Sequence, residues 1–205
     1  MSFLKEINKK RVSLNHTSTR LTTIEGKTVI EETVQGIFTS KKISGENLSC
    51  PGFVVDSKPD LQVAEIIPSS LYLGSQDVVH DIDLIKLYKI TNILSIGVYV
   101  PKLSQLPHIT YIFVPALDLP DEKIEAMLNS ALPIMEAVIC GGGCLYVHCN
   151  AGVSRAPTVV MAFLIVHKGY SFNDALAWVK HQRPSANPNP GFIRQLLDLE
   201  RKKTD

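Results

Sequence analysis

From about Leu61 onward, short apolar runs of strand length alternate with stretches in which apolar residues recur at helical spacing. "QVAEIIPSSLYLGS" predicts two short strands split by Pro68, and Asp81 stands where a helix through "LIKLYK" needs its N-cap. "ITNILSIGV" and "ITYIFVPAL" predict two further strands. A helix is expected from Asp121 to Ile139, with Pro133 accommodated at a kink or junction. "GGGCLYVHC" predicts a turn and a buried strand, and helical patterns follow over 154–168, 172–182 and 189–202, the second capped by Ser171 or Asn173. This β–α alternation implies an α/β fold with helices packed on the faces of a sheet. Sites in such sheets form at the carboxyl ends of strands, which is where His148 and Cys149 fall.

Residues 1–60 have a different texture, with many Ser, Thr and Gly, nine Lys/Arg against seven Asp/Glu, and no sustained apolar period. "RLTTIEGKTVIEE" is compatible with two strands about a Glu25-Gly26 turn, and "SKKISGENLSCPGFVVDSKPD" reads as a linker. The expected organisation is therefore an irregular, partly ordered N-terminal extension over 1–60 and a globular domain over 61–205.

Composition narrows the partners. Apolar residues make up 45% and charged residues 20%, the proportions of a soluble globular chain, and the net charge is +1. No overall field draws nucleic acid or an acidic membrane, so any anion must be bound locally. The opening "MSFLKEINKKR" lacks a signal-peptide core, no apolar run reaches about 18 residues, Ser2 is not a myristoylation glycine, and "RKKTD" carries no prenylation cysteine. Cys50, Cys140, Cys144 and Cys149 show no CxxC metal spacing, and reduced thiols in the cytosol or nucleus are expected.

The chemistry concentrates in "YVHCNAGVSRAPTVV". A strand ends in His148 and Cys149, and Asn150, Ala151, Gly152, Val153 and Ser154 bridge to a helix whose first residues include Arg155. Small side chains let successive backbone N–H groups turn inward as an anion-binding nest, and the helix start adds its positive dipole end. Arg155 offers a planar fork matched to phosphate oxygens, and Pro157 falls in the first helical turn, where a missing N–H costs little. Beneath such donors a cysteine is held as its thiolate, the form that attacks phosphorus. A buried structural cysteine beside a surface arginine is the plainer explanation, but it does not account for His, Cys, Gly, Ser and Arg in register within eight positions.

"HCNAGVSR" resembles the HCxxGxxR signature of the cysteine-dependent protein phosphatases, and its Ser-Arg ending is similar to the dual-specificity branch. The resemblance extends through "IIPSSLYLGSQDVVHD", "ITNILSIG", "VPALDLPDEKIEAML" and "RPSANPNPGFIRQLLDLE", and so covers most of 61–205. It implies that branch's fold, a central mixed sheet of about five strands flanked by helices. It implies Cys149 as nucleophile, Arg155 as phosphate grip, and Asn150, Ala151, Gly152, Val153 and Ser154 as the rest of the phosphate-binding loop. Asp118 matches the general acid, with Asp121 close enough in sequence to compete. Ser154 would hydrogen-bond the departing thiolate, or serve only as a helix cap; His148 would orient the loop. Asn189 matches a supporting residue of the family's PNxGF segment. Arg183 reads as a structural anchor; Trp178, Phe192, Met127 and Met135 read as core.

The resemblance further implies no cofactor and no metal, and a shallow pocket for phosphotyrosine and phosphoserine or phosphothreonine on a protein, in this branch often a MAP kinase or its partners. Lipid phosphatases place lysines in this loop, where Asn150, Ala151 and Val153 are neutral. RNA triphosphatases favour a more basic approach than the twelve basic and thirteen acidic residues of 61–205. Glucan phosphatases carry a carbohydrate-binding domain for which 60 residues are too few. A phosphate-binding scaffold without activity is the non-enzymatic alternative. A protective disulfide from Cys144 is excluded if its strand is unbroken, since five residues span roughly 16 Å and a disulfide needs Cα atoms within about 7 Å.

Overall fold

The computed structural model describes residues 17–22, 28–34, 37–43, 52–55 and 59–204. The chain divides into two compact units, Met1–Pro59 and Asp60–Asp205.

In the first unit β1 (Thr17–Thr22), β2 (Thr28–Val34), β3 (Ile37–Ile43) and β4 (Gly52–Val55) form an antiparallel sheet in the order β3-β2-β1-β4. The strands expected on either side of Glu25-Gly26 are β1 and β2; the turn itself and Cys50 lie outside the described residues. The linker reading of 40–60 needs correction, because that stretch contains the end of β3 and all of β4. Four residues are too few to display a two-residue period, and the partner of β4 is β1, some thirty positions upstream, so the pairing left no local trace.

The second unit is built on a five-stranded mixed sheet. β5 (Ala64–Ile67) and β6 (Leu71–Gly74) are antiparallel around Pro68; β7 (Asn92–Ile96), β8 (Thr110–Val114) and β9 (Leu145–His148) run parallel to one another and to β6, in the order β5-β6-β9-β7-β8. Strand residues alternate cleanly between two cores. Leu71, Leu73, Leu94, Ile96, Leu145 and Val147 face one side, Tyr72, Ile93 and Tyr146 the other.

The larger core is covered by α2 (Ile124–Cys140), α3 (Arg155–Lys168), α4 (Phe172–Gln182) and α5 (Pro190–Thr204). The smaller is closed by α1 (Ile82–Leu87) and the chain around Val100, Leu106 and Ile109. The caps follow sequence: Asp81 accepts from the Leu84 N–H, and Ser171, rather than Asn173, accepts from that of Asp174. α3 packs against α2, α4 and α5, and its residues Ala156 to Ile165 are buried without a break. It ends at Gly169, whose φ of 73° is the left-handed C-cap that glycine favours. α2 starts three residues later than expected, at Ile124, because Asp121 and Glu122 are spent in a turn closed by the Glu122 N–H on the Leu119 carbonyl. The parallel strands β6, β9 and β7 all end beneath the loop between β9 and α3.

Candidate active site

That loop, 149–154, is held from behind at every peptide. The Cys149 carbonyl meets His148 Nδ1 at 3.0 Å, and the Asn150 carbonyl accepts from the Gln76 N–H at 2.9 Å. The Ala151 and Gly152 carbonyls accept from Arg183 Nη2 and Nε, each at 2.8 Å, and the Val153 carbonyl accepts from the Asn187 N–H at 2.7 Å. In a trans peptide the following N–H points opposite to its carbonyl. Five carbonyls drawn backward therefore send the N–H groups of residues 150–154 forward, an anion-binding nest at the mouth of α3. Gly152 makes this possible: its φ is +64°, and a Cβ there would stand 2.3 Å from the Gly74 carbonyl oxygen.

Cys149 lies at the base of the nest, 2% exposed, on the end of β9. His148 is fully buried beneath it. A carbonyl can only accept, so Nδ1 carries the proton toward Cys149, and Nε2 accepts from Ser95 Oγ at 2.7 Å. Burial pushes the His148 imidazole down to about 4, against a smaller upward pull from its bond to the Cys149 backbone. The ring is a neutral spacer that sets the loop's first peptide.

Arg155 opens α3. Its Nη1 donates to the Gly97 carbonyl at 2.9 Å, while its Nε is buried with no hydrogen-bond partner. The nearest opposite charge is Asp118 Oδ2, 3.6 Å away. A buried guanidinium N–H that makes no hydrogen bond, only a loose ion pair with Asp118, beside five converging N–H groups is a donor available to an anion. Gly97, with φ +67°, makes room for the side chain, since a Cβ there would meet Nη1 at 2.3 Å.

Asp118 is fixed over the same mouth. Its Oδ1 accepts from Ser154 Oγ at 2.7 Å and from Asn189 Nδ2 at 2.9 Å. Ser154 Oγ in turn accepts the Asn189 N–H, and Asn189 Oδ1 caps α5 through the Phe192 N–H. Asp121 is exposed and makes no hydrogen bond or ion pair among the described residues, so Asp118 is the carboxylate brought to Arg155. Ser154 gives α3 no side-chain cap bond; its hydroxyl belongs to the Asp118 network.

Most of the expected constellation is thus gathered at one strand end: Cys149, Arg155, Asp118, Ser154, His148, Asn189 and the loop residues between. Arg183 is the anchor it was read to be, wholly buried, and its Nη2 also pairs with Asp60 Oδ2 at 2.5 Å. Phe192, Met127 and Met135 are core, and Trp178 packs at its edge with Nε1 on the Ile66 carbonyl. Sequence reasoning missed Ser95, Gln76, Asn187, Asp60 and Gln195. The last ties the loop after Asp118 to α5, accepting from the Ile124 N–H and donating to the Glu122 carbonyl. None carries a local signal, because each acts from a different element across the sheet.

Cys144 and Cys149 flank an unbroken β9, and Cys144 Sγ is engaged with the Tyr88 carbonyl; Cys140 ends α2 at the opposite end of that strand from Cys149. Among the described residues no three His, Cys, Asp or Glu are grouped to hold a metal.

Residues 71–202 match the sequence profile described as dual specificity phosphatase, catalytic domain. Mouse dual specificity protein phosphatase 19 is 40% identical over 190 residues, 91% of this chain and 84% of the relative. Bovine dual specificity protein phosphatase 14 is 35% identical over 146 residues, covering 71% of this chain and 73% of the relative. Among solved structures, human DUSP28 superposes with a TM-score of 0.64 at 32% identity, over 70% of this chain and 96% of that one. The human tyrosine phosphatase-like serine/threonine/tyrosine-interacting protein gives 0.63 at 28% identity, over 70% and 98%.

Proposed function

The chain belongs to the dual-specificity phosphatase family, and from that premise we propose that it hydrolyses phosphotyrosine and phosphoserine or phosphothreonine on proteins, with Cys149 as nucleophile, Arg155 as phosphate grip and Asp118 as general acid and base. The observation that carries this reading is the set of five backward-held carbonyls, which pre-aims five N–H donors above the Cys149 thiol.

The phosphate's non-bridging oxygens take the N–H groups of 150–154 and the unpaired Nε of Arg155. The Cys149 thiolate attacks phosphorus in line, an S–P bond forms as the ester P–O bond breaks, and Asp118 gives its proton to the leaving oxygen. Donors fixed before the reaction stabilise the charge spread over the transferring group without reorganising. In the second step Asp118 takes a proton from water, the water oxygen bonds phosphorus, and the S–P bond breaks to release inorganic phosphate and the thiolate. Ser154, held beside Asp118 in the free protein, turns its hydroxyl to that thiolate. Asn189 is a supporting residue that keeps Asp118 in place. A thiol nucleophile has to stay reduced, which fits a cytosolic or nuclear setting, and a MAP kinase pathway component is the substrate the family points to.

One solved relative is named phosphatase-like and interacting, which supplies the competing reading of a phosphate-binding scaffold. Retention of Cys149, Arg155 and a positioned Asp118 together favours the hydrolase. Hydrolysis of p-nitrophenyl phosphate in EDTA, by wild type, Cys149→Ser and Asp118→Asn, separates the two. The hydrolase requires activity in wild type, none in Cys149→Ser and a measurable drop in Asp118→Asn; inactive wild type that binds phosphopeptides is the scaffold.

A further inference from the structure

Seven large apolar side chains of the second unit are conspicuously exposed, and four of them (Tyr99 at 56%, Phe113 at 46%, Leu117 at 59% and Leu119 at 54%) lie on just two segments, 97–101 and 113–120. Those segments both lead to Arg155, whose Nη1 reaches the Gly97 carbonyl at 2.9 Å and the Ala116 carbonyl at 3.5 Å. Leu117 and Leu119 flank Asp118 directly. Tyr99 and Phe113 meet edge to face, ring centroids 6.3 Å apart.

Strand register places the aromatic pair relative to the nucleophile. Ser95 of β7 is opposite both His148 of β9 and Phe113 of β8, so His148, Ser95 and Phe113 form one row across the sheet. Two strand spacings separate its ends, about 10 Å. Phe113 therefore stands level with the residue before Cys149, one short step sideways from the nest. An extended peptide covers that distance in about three residues.

We propose that Tyr99 and Phe113, with Leu117 and Leu119 along the acid loop, form a recognition surface for an apolar side chain about three residues from the phosphorylated residue of a protein substrate. The inference rests on the proposed function and adds to it the chemistry of the flanking sequence. Continuity with the nest names the occupant, because a phosphoprotein segment that delivers its phosphate to Cys149 must cross one rim of the nest. Charge defines its chemistry. Asp118 is the sole charged residue in 97–101 and 113–120, and it is already engaged by Ser154, Asn189 and Arg155. Lys102 and Asp121 border the two segments, but within them a charged flanking side chain meets no free charge, whereas an aromatic or branched aliphatic one covers exposed apolar area.

The test compares full-length wild type with the Tyr99→Ser/Phe113→Ser double variant on p-nitrophenyl phosphate and on paired phosphotyrosine peptides. One peptide of each pair carries Leu, the other Ser, at the third residue before or after the phosphotyrosine. In at least one of the two placements, wild type should favour the Leu peptide about tenfold in kcat/KM, chiefly through KM, the ratio expected of about 1.4 kcal/mol of binding. The double variant should lose that preference and keep wild-type turnover of p-nitrophenyl phosphate. Equal use of both peptides by wild type in both placements, or a preference that survives in the double variant, overturns the proposal. So does a concentration-dependent dimer on size exclusion that the double variant abolishes with peptide preference unchanged, which would assign the surface to a second copy of the chain. Wild type inactive on p-nitrophenyl phosphate contradicts the proposed function itself, and this inference falls with it.

Discussion

Arg183 Nε donates to the Gly152 carbonyl at 2.8 Å, and that bond fixes the direction in which the Val153 N–H points. The same guanidinium holds the Ala151 and Gln62 carbonyls and the Asp60 carboxylate. A lysine has one ammonium and cannot span these acceptors. Arg183→Lys should therefore weaken competitive inhibition by inorganic phosphate about tenfold or more, as two of the nest's peptides lose their fixed orientation. Asp60→Asn should do less, because that carboxylate is 42% exposed and its charge is partly screened. Phosphate inhibition constants check both, and an unchanged constant in Arg183→Lys contradicts the role.

Asp118 is held by Asn189, so Asn189→Ala should loosen the proposed acid without removing it. A general acid matters most when the leaving group is a poor one. Asp118→Asn should lower kcat by about 10²–10⁴-fold on a phosphoserine peptide and by less on p-nitrophenyl phosphate. Asn189→Ala should show the same leaving-group trend at about tenfold. Equal losses on both substrates would place Asn189 outside acid catalysis.

Gly191 sits against the loop after Asp118, and a Cβ there would stand 1.7 Å from the Pro120 carbonyl oxygen. Backbone cannot swing aside as a side-chain tip does, so Gly191→Ala should displace the loop and cost about 1–3 kcal/mol of stability. Turnover of the phosphoserine peptide should fall with it. Denaturant unfolding and turnover test the two effects separately.

His148 links stability to pH. Its folded value of about 4 lies below the ordinary 6.5, so between those values the unfolded chain binds the extra proton and the folded one does not. The contribution is complete above about pH 6.5 and is lost as pH falls toward 4. Between pH 7 and pH 5 it amounts to about 2 kcal/mol. His148→Gln should lose less stability over that interval than wild type, as read by urea unfolding at the two pH values. Parallel losses would contradict the neutral buried imidazole.

The nest was legible in the sequence because it is local: strand end, small residues, Arg155 and helix start follow one another within eight positions. The five-stranded sheet was legible too, its strands marked by short apolar runs bounded by turn residues. What holds the nest from behind was not. Gln76, Asn187 and Asp60 come from three separate segments, and nothing in their neighbours' pattern marks the carbonyl or guanidinium each meets. Ser154 shows the same limit, since an expected thiolate partner or helix cap bonds instead, in the free protein, to a carboxylate 36 residues away. β4 escaped for the related reason that four residues beside Pro51 gain strand character only from β1.

Whether Cys149, at the base of the nest, becomes the phosphoryl carrier decides between hydrolase and scaffold. Rapid acid quench of the full-length protein turning over p-nitrophenyl phosphate, followed by mass spectrometry of the Cys149 peptide, tests this directly. A phosphoryl adduct on Cys149 in wild type, absent from Cys149→Ser, is the predicted result. Turnover without any such adduct, or turnover that persists in Cys149→Ser, would contradict it.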